Sequence, residues 1–246
     1  MKKLVAFITS AFPDKNFTID LGYSLAQNGV DTIELGIPFS DPVADGPLIE
    51  KANQKALQNG FKFNDVLDIS KEIAKNFDIL WMGYFNSFYQ QDMQKLLPLA
   101  KSLHVNGFII PDLPFEETLE YQELFDKNEL VNISFVAPTD TKERIATITK
   151  NAKKFIYMVA YTGITGSGKD ENLKPFIENI KKYSNTPVYV GFGVNAKTAK
   201  LKSKDSDGVI VGSAFIDILL REDLSLSAKI KECSNLAKII KNEINS

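Results

Sequence analysis

The chain has 246 residues, 44% apolar and 24% charged, with a formal net charge of −2. This is the composition of an ordinary globular protein, and the near-neutral balance excludes a general electrostatic attraction for nucleic acid or anionic lipid. A lone cysteine, Cys233, leaves no internal disulfide and makes a reducing, cytoplasmic setting the expectation.

The first apolar run, Leu4 to Ile8, follows Lys2 and Lys3 but is short, continues into Thr9 and Ser10, and carries no small-residue cleavage site. It therefore predicts a strand rather than a secretion signal. From there, strand-length apolar runs alternate with segments of helical period to the end of the chain. A helix over Phe17 to Gln27 precedes a strand over Thr32 to Leu35, and helices over Leu48 to Gln58 and Asp65 to Lys75 precede one over Ile79 to Gly83. Asp92 to Leu103 leads to a strand at Gly107 to Ile110, and Thr118 to Asp126 to one at Asn132 to Val136. Lys142 to Asn151 precedes Phe155 to Val159, Leu173 to Tyr183 precedes Val188 to Val190, and Ala196 to Lys202 precedes Gly208 to Val211. The segment from Leu226 to Ile244 predicts a final half-buried helix holding Cys233. No apolar stretch approaches the roughly 18 residues that span a bilayer.

The strands are apolar on both faces, as parallel strands covered on both sides require. Asn28-Gly29, Asn106-Gly107 and Asp207-Gly208 mark helix-to-strand joints, where a left-handed backbone is cheap for glycine and tolerable for asparagine or aspartate. Eight βα units without a linker, in a length near the usual 250 or so residues, predict one domain over 1–246 folded as a closed (β/α)8 TIM barrel. An open doubly wound sheet is the alternative. Barrel chemistry gathers at the C-terminal ends of the strands, in the βα loops.

After the second strand stands Glu34-Leu-Gly-Ile-Pro-Phe-Ser-Asp41-Pro-Val-Ala-Asp45-Gly-Pro47. A carboxylate inside an apolar strand is costly unless neutralised or used, so Glu34 is either a paired strand-end residue or a functional acid. Three prolines and two glycines between Gly36 and Pro47 make a stiff loop that presents Asp41 and Asp45. Asp45 reads as a helix N-cap or as a functional group. Glycines recur at Thr162-Gly-Ile-Thr165-Gly166-Ser-Gly168, at Gly191-Phe-Gly193, and at Gly212-Ser213 opening a short apolar helix. Loops after strands seven and eight that bare backbone N–H groups beside a helix start predict phosphate binding, against the plainer reading of tight turns. Tyr84 reads as pocket wall and Asn86 as a turn residue. His104, the sole histidine, precedes strand four and so faces the opposite end. That removes histidine acid-base chemistry and a histidine-bound metal from the active face and leaves carboxylates for proton transfer.

The stretch from Glu34 to Pro47 resembles the signature of the tryptophan synthase alpha chain family. Supporting matches are Met82-Gly-Tyr-Phe-Asn86, Gly107 to Pro114, Ala137-Pro-Thr139, Thr162 to Gly166, Val190-Gly-Phe-Gly193 and Asp207 to Ser213. The resemblance implies a lyase that cleaves indole-3-glycerol phosphate by a retro-aldol step to indole and glyceraldehyde 3-phosphate in tryptophan biosynthesis. It implies Glu34 and Asp45 as the catalytic pair and Gly166, Gly193, Gly212 and Ser213 as the phosphate cradle. Phe7, Met82, Tyr157 and Phe192 would line the indole pocket. Asp41, within the loop from Pro38 to Pro42, and Thr165 would belong to segments that close over substrate and communicate with a partner. That partner would be the beta subunit of an α2β2 heterotetramer, which would hold pyridoxal phosphate, leaving this chain without cofactor or metal. The chain departs from the family pattern in starting its first strand at Leu4 without a preceding helix, in Ala11-Phe12-Pro13, and in Tyr161. Another phosphate-binding barrel, such as a sugar-phosphate isomerase or epimerase, and a non-catalytic activator of a beta chain are the competing readings.

Overall fold

A computed structural model describes residues 1–159 and 173–246. Among them the strands are β1 (Lys3–Thr9), β2 (Thr32–Gly36), β3 (Asp78–Met82), β4 (Gly107–Ile109), β5 (Val131–Asn132), β6 (Ser134–Val136), β7 (Ile156–Val159), β8 (Val188–Gly191) and β9 (Gly208–Val211). All pair in parallel, in the order β5-β4-β3-β2-β1-β9-β8-β7-β6. The two ends of that order are halves of one strand. β5 pairs with β4 and β6 with β7, and only Ile133 separates them, its N–H donating to the Phe108 carbonyl at 2.9 Å. The eight expected strands thus close into the barrel, with the fifth divided where it changes partner; β8 and β9 are the seventh and eighth.

The helices are α1 (Lys15–Gln27), α2 (Pro47–Gln58), α3 (Phe63–Ile73), α4 (Phe85–Tyr89), α5 (Met93–Ser102), α6 (Phe115–Thr118), α7 (Gln122–Lys127), α8 (Lys142–Thr149), α9 (Lys174–Lys181), α10 (Ala199–Ser203), α11 (Ser213–Leu220) and α12 (Leu226–Asn245). The predicted helix from Thr118 to Asp126 instead runs as α6, a 3-10 turn over Leu119–Tyr121, and α7. Glu116, Glu117, Glu120 and Glu123 set like charges three and four residues apart along it, which weakens a continuous helix. α10 starts three residues later than expected. The Asn195 side chain accepts from the N–H groups of Lys197 and Thr198 and holds that stretch as a turn.

Register divides the strands cleanly by face. Val5, Phe7 and Thr9 of β1 stand beside Thr32, Glu34 and Gly36 of β2, and the last two stand beside Leu80 and Met82 of β3. These point into the barrel. Their alternates, such as Leu4, Ala6, Ile8, Ile33, Leu35 and Trp81, pack outward on the helices and are fully buried or nearly so. The N-terminal end of the lumen is plugged by polar and aromatic groups. Asp78 accepts from Thr32 Oγ1 at 2.6 Å, Asn106 Nδ2 at 2.7 Å and Lys154 Nζ at 2.7 Å, and Phe155 stacks on Tyr189 with centroids 4.4 Å apart. α12 fastens the outside of that end, where Lys241 pairs with Asp31 and also donates to the Lys2 carbonyl at 3.0 Å. His104 is exposed at the same end, one turn before β4. Everything at the opposite mouth is left for the site.

Candidate active site

Glu34 sits in the middle of β2, 3% exposed, with Phe7 and Leu80 as its strand neighbours. Its Oε2 is buried without any hydrogen-bond partner among the described residues. Removal from water, reinforced by the nearby charge of Asp45, pushes the carboxyl up to about 8. At neutral pH it is therefore a protonated acid in an apolar wall, able to give a proton and take it back.

The loop after β2 delivers Asp45. The helix cap of α2 is Gly46 with Pro47 in the first turn, and no side chain caps the helix, so the N-cap reading of Asp45 is not realised. The carboxyl is instead largely desolvated and raised to about 6, an upward push that contacts from Tyr84 and Asn53 partly offset. Asn53 Nδ2 lies 3.4 Å from Asp45 Oδ2. Tyr84, 1% exposed, grips the loop twice: its ring stacks on Phe39 at 5.2 Å and 20°, and its hydroxyl accepts from the Ala44 N–H at 2.9 Å. The sequence reading of Tyr84 as plain pocket wall missed this role, and missed Asn53 altogether. Asp41 is exposed in the same loop, its side chain accepting from Ser40 Oγ.

Aromatic packing forms the rest of the lumen. Phe7 fills the space beside Gly36 so completely that a Cβ there would lie 2.4 Å from the ring. Tyr157 on β7 stacks on Phe135 at 5.0 Å and lies against Gly191, where a Cβ would come 2.3 Å from Cε1. Burial and the charges of Glu34 and Asp45 raise its phenol well above the usual range, so it stays neutral. Met82 is buried on the same inner face, and Phe192 stands at the rim, 42% exposed with φ of 73°.

Beside this wall, β8 ends in Gly191, and Gly193 follows with φ of 68°. The adjoining β9 runs into Gly212, the N-cap of α11, which has no side-chain cap. The amides of the first turn of α11 therefore face the mouth unclaimed by a capping side chain, with the positive end of the helix dipole behind them. Gly193, Gly212 and Ser213 thus meet at neighbouring strand ends. Gly166 and Thr165 lie outside the described residues. No group of three or more His, Cys, Asp or Glu side chains among the described residues is arranged to hold a metal ion.

Residues 1–245 match the family model described as tryptophan synthase alpha chain. The chain belongs to that family. It is 54% identical to the tryptophan synthase alpha chain of Wolinella succinogenes, with 100% of this chain and 97% of the relative covered. It is 38% identical to that of Aquifex aeolicus, covering 98% and 92%. Among solved structures, tryptophan synthase subunit alpha of Legionella pneumophila superposes with a TM-score of 0.89 at 30% identity, covering 99% of this chain and 93% of the other. That of Campylobacter jejuni gives 0.86 at 30%, covering 96% and 95%. Family membership makes the chain a lyase of the alpha reaction of tryptophan synthase, the cleavage of indole-3-glycerol phosphate in tryptophan biosynthesis. The isomerase or epimerase alternative falls with it.

Proposed function

We propose that Glu34 and Asp45 carry out this cleavage as an acid and an anion of one buried site. The observation that carries the reading is their unequal protonation at neutral pH: Glu34, at about 8, holds its proton, and Asp45, at about 6, has lost its own. Cleavage requires indole C3 to become a leaving carbon. Glu34 protonates C3, giving the C3-protonated indoleninium ion, whose positive charge lies largely at the ring nitrogen. Asp45 accepts a hydrogen bond from N1–H and stabilises that charge. The glutamate carboxylate so formed then takes the proton of the hydroxyl on the carbon attached to C3. The C–C bond breaks, its electrons return to the ring as indole forms, and the chain leaves as glyceraldehyde 3-phosphate. The phosphoryl group, held by the N–H groups around Gly193, Gly212 and Ser213, orients the scissile bond. Phe7, Met82 and Tyr157 enclose the indole, with Phe192 at its edge.

The partner we assign is a tryptophan synthase beta chain in an α2β2 assembly, with pyridoxal phosphate in that chain and the steps above needing no cofactor. Supporting it, the mouth of the barrel carries exposed apolar side chains from three successive βα loops, Val43 at 84%, Tyr89 at 61% and Leu119 at 54%. Phe85 joins Tyr89 and Tyr121 into one aromatic cluster there, at 5.6 and 5.4 Å. A cytoplasmic location accords with such an enzyme; among the described residues no helix is long and apolar enough to cross a membrane.

The test is indole release from indole-3-glycerol phosphate, with and without the beta chain. Glu34→Gln abolishes release while phosphate-dependent binding of substrate survives, and Asp45→Asn lowers kcat at least about 100-fold. Wild-type turnover by folded Glu34→Gln protein, or a loss under about threefold in Asp45→Asn, overturns the assignment.

A further inference from the structure

Glu34 Oε2 is not the only partnerless oxygen at the inner mouth. Thr9, the last residue of β1, is 1% exposed, and its Oγ1 has no hydrogen-bond partner among the described residues. A threonine at a strand end ordinarily satisfies its hydroxyl on nearby backbone or water, so a fully buried, unpaired one calls for a reason. Register supplies its direction. Thr9 continues the inward series of Val5 and Phe7, stands opposite Gly36, and lies one inward position nearer the mouth than Glu34.

Strand order supplies what it faces. β1 lies between β2, which carries Glu34, and β9, which leads into Gly212. A substrate whose ring is beside Glu34 and whose phosphate is at Gly212 and Gly193 must run its connecting three-carbon chain past the end of β1. That chain bears the hydroxyl groups of indole-3-glycerol phosphate. We infer that Thr9 is a substrate-contacting residue whose Oγ1 hydrogen-bonds a hydroxyl of the glycerol chain. The inference rests on the roles assigned above to Glu34 and the glycine cradle. In the free protein the hydroxyl is buried at a loss in stability; bound substrate provides the partner.

The experiment compares Thr9→Val, which keeps shape and removes the hydroxyl, with Thr9→Ser, which keeps the hydroxyl. Two ligands are used: the substrate, and an analogue with the same indole ring, three-carbon chain and phosphate but no chain hydroxyl. Thr9→Val is expected to raise the melting temperature and to lower kcat/KM about 10- to 100-fold, the consequence of leaving a substrate hydroxyl unpartnered. Its Kd for the hydroxyl-free analogue stays within about twofold of wild type, and Thr9→Ser restores turnover. Ser10→Ala, which removes the neighbouring partnerless hydroxyl outside the inward series, leaves turnover unchanged. Turnover by Thr9→Val within about threefold of wild type overturns the inference, as does a parallel loss of analogue affinity or an equal loss in Ser10→Ala. If Thr9→Val does not fold, Thr9→Ala gives the same comparison. Failure of the underlying reading is seen separately, as turnover retained in Glu34→Gln.

Discussion

Replacing Glu34 by glutamine should inactivate the protein and make it more stable, and the size of the gain can be worked from the site. In the unfolded chain the carboxyl ionises near its ordinary 4.5, whereas in the fold it ionises at about 8 because burial disfavours the charge. A carboxyl raised in this way leaves stability intact below about 4.5 and erodes it as pH climbs through the window up to about 8. Each unit in that window is worth about 1.4 kcal/mol. Wild type at pH 7 is therefore disadvantaged by about 3 kcal/mol relative to its own stability at acid pH, and by about 5 kcal/mol above pH 8. Glutamine matches the neutral acid in shape and does not titrate. In a chain of this length, about 3 kcal/mol corresponds to roughly 6–12 °C in melting temperature at pH 7. Urea denaturation of both proteins at pH 5, 7 and 8 measures the difference directly. It should be under about 1 kcal/mol at pH 5 and widen with pH. A pH-independent difference, or a Glu34→Gln protein less stable throughout, would refute the claim that a neutral acid is buried at this position.

The same two carboxyl groups set the pH dependence of catalysis. Asp45 must be ionised and Glu34 protonated, so kcat/KM for indole release should form a plateau bounded near pH 6 and pH 8; a profile flat from pH 5 to 9 contradicts the pairing. Tyr84→Phe keeps the stack on Phe39 but removes the hydroxyl that favours ionised Asp45. Its acid limb should move to higher pH, so that activity lost at pH 7 returns toward pH 8, and an unmoved limb would show that Tyr84 serves only as wall. Gly191→Ala places a methyl 2.3 Å from Tyr157 Cε1 in a packed lumen. It should lower turnover at least about tenfold, and pairing it with Tyr157→Leu should recover part of the loss. A double variant no better than the single one would place the damage elsewhere.

How far the sequence speaks depends on how local each determinant is. Glu34 announces itself because an ionisable group in an apolar strand is out of place, and the prolines and glycines after it describe a stiff loop from composition alone. The barrel follows from repetition of one period. By contrast, α4 begins where the Phe85 N–H donates to the Asp112 side chain at 2.8 Å, a cap 27 residues downstream that no local pattern reveals. Tyr84 acts on a backbone N–H 40 residues before it, and Thr9 looks like any strand-end threonine until register and burial show its hydroxyl alone. The Asp78 plug joins β3 to Lys154, 76 residues on. The turn at Asn195 carries a local signal, since asparagine two and three residues before Lys197 and Thr198 favours folding back on those amides, as does the broken helix before β5, with its glutamates three and four residues apart.

The change of partner at Ile133 gives the cylinder a seam. β1 and β2 meet over five register pairs, but the seam strand is held by two on one flank and three on the other. Breathing of the wall should start there, and amide hydrogens from Val131 to Val136 should exchange with solvent sooner than those of β1 and β2. Tyr157 leans on this strand through Phe135, so a fluctuation of the divided strand is passed to a ring that borders the acid itself.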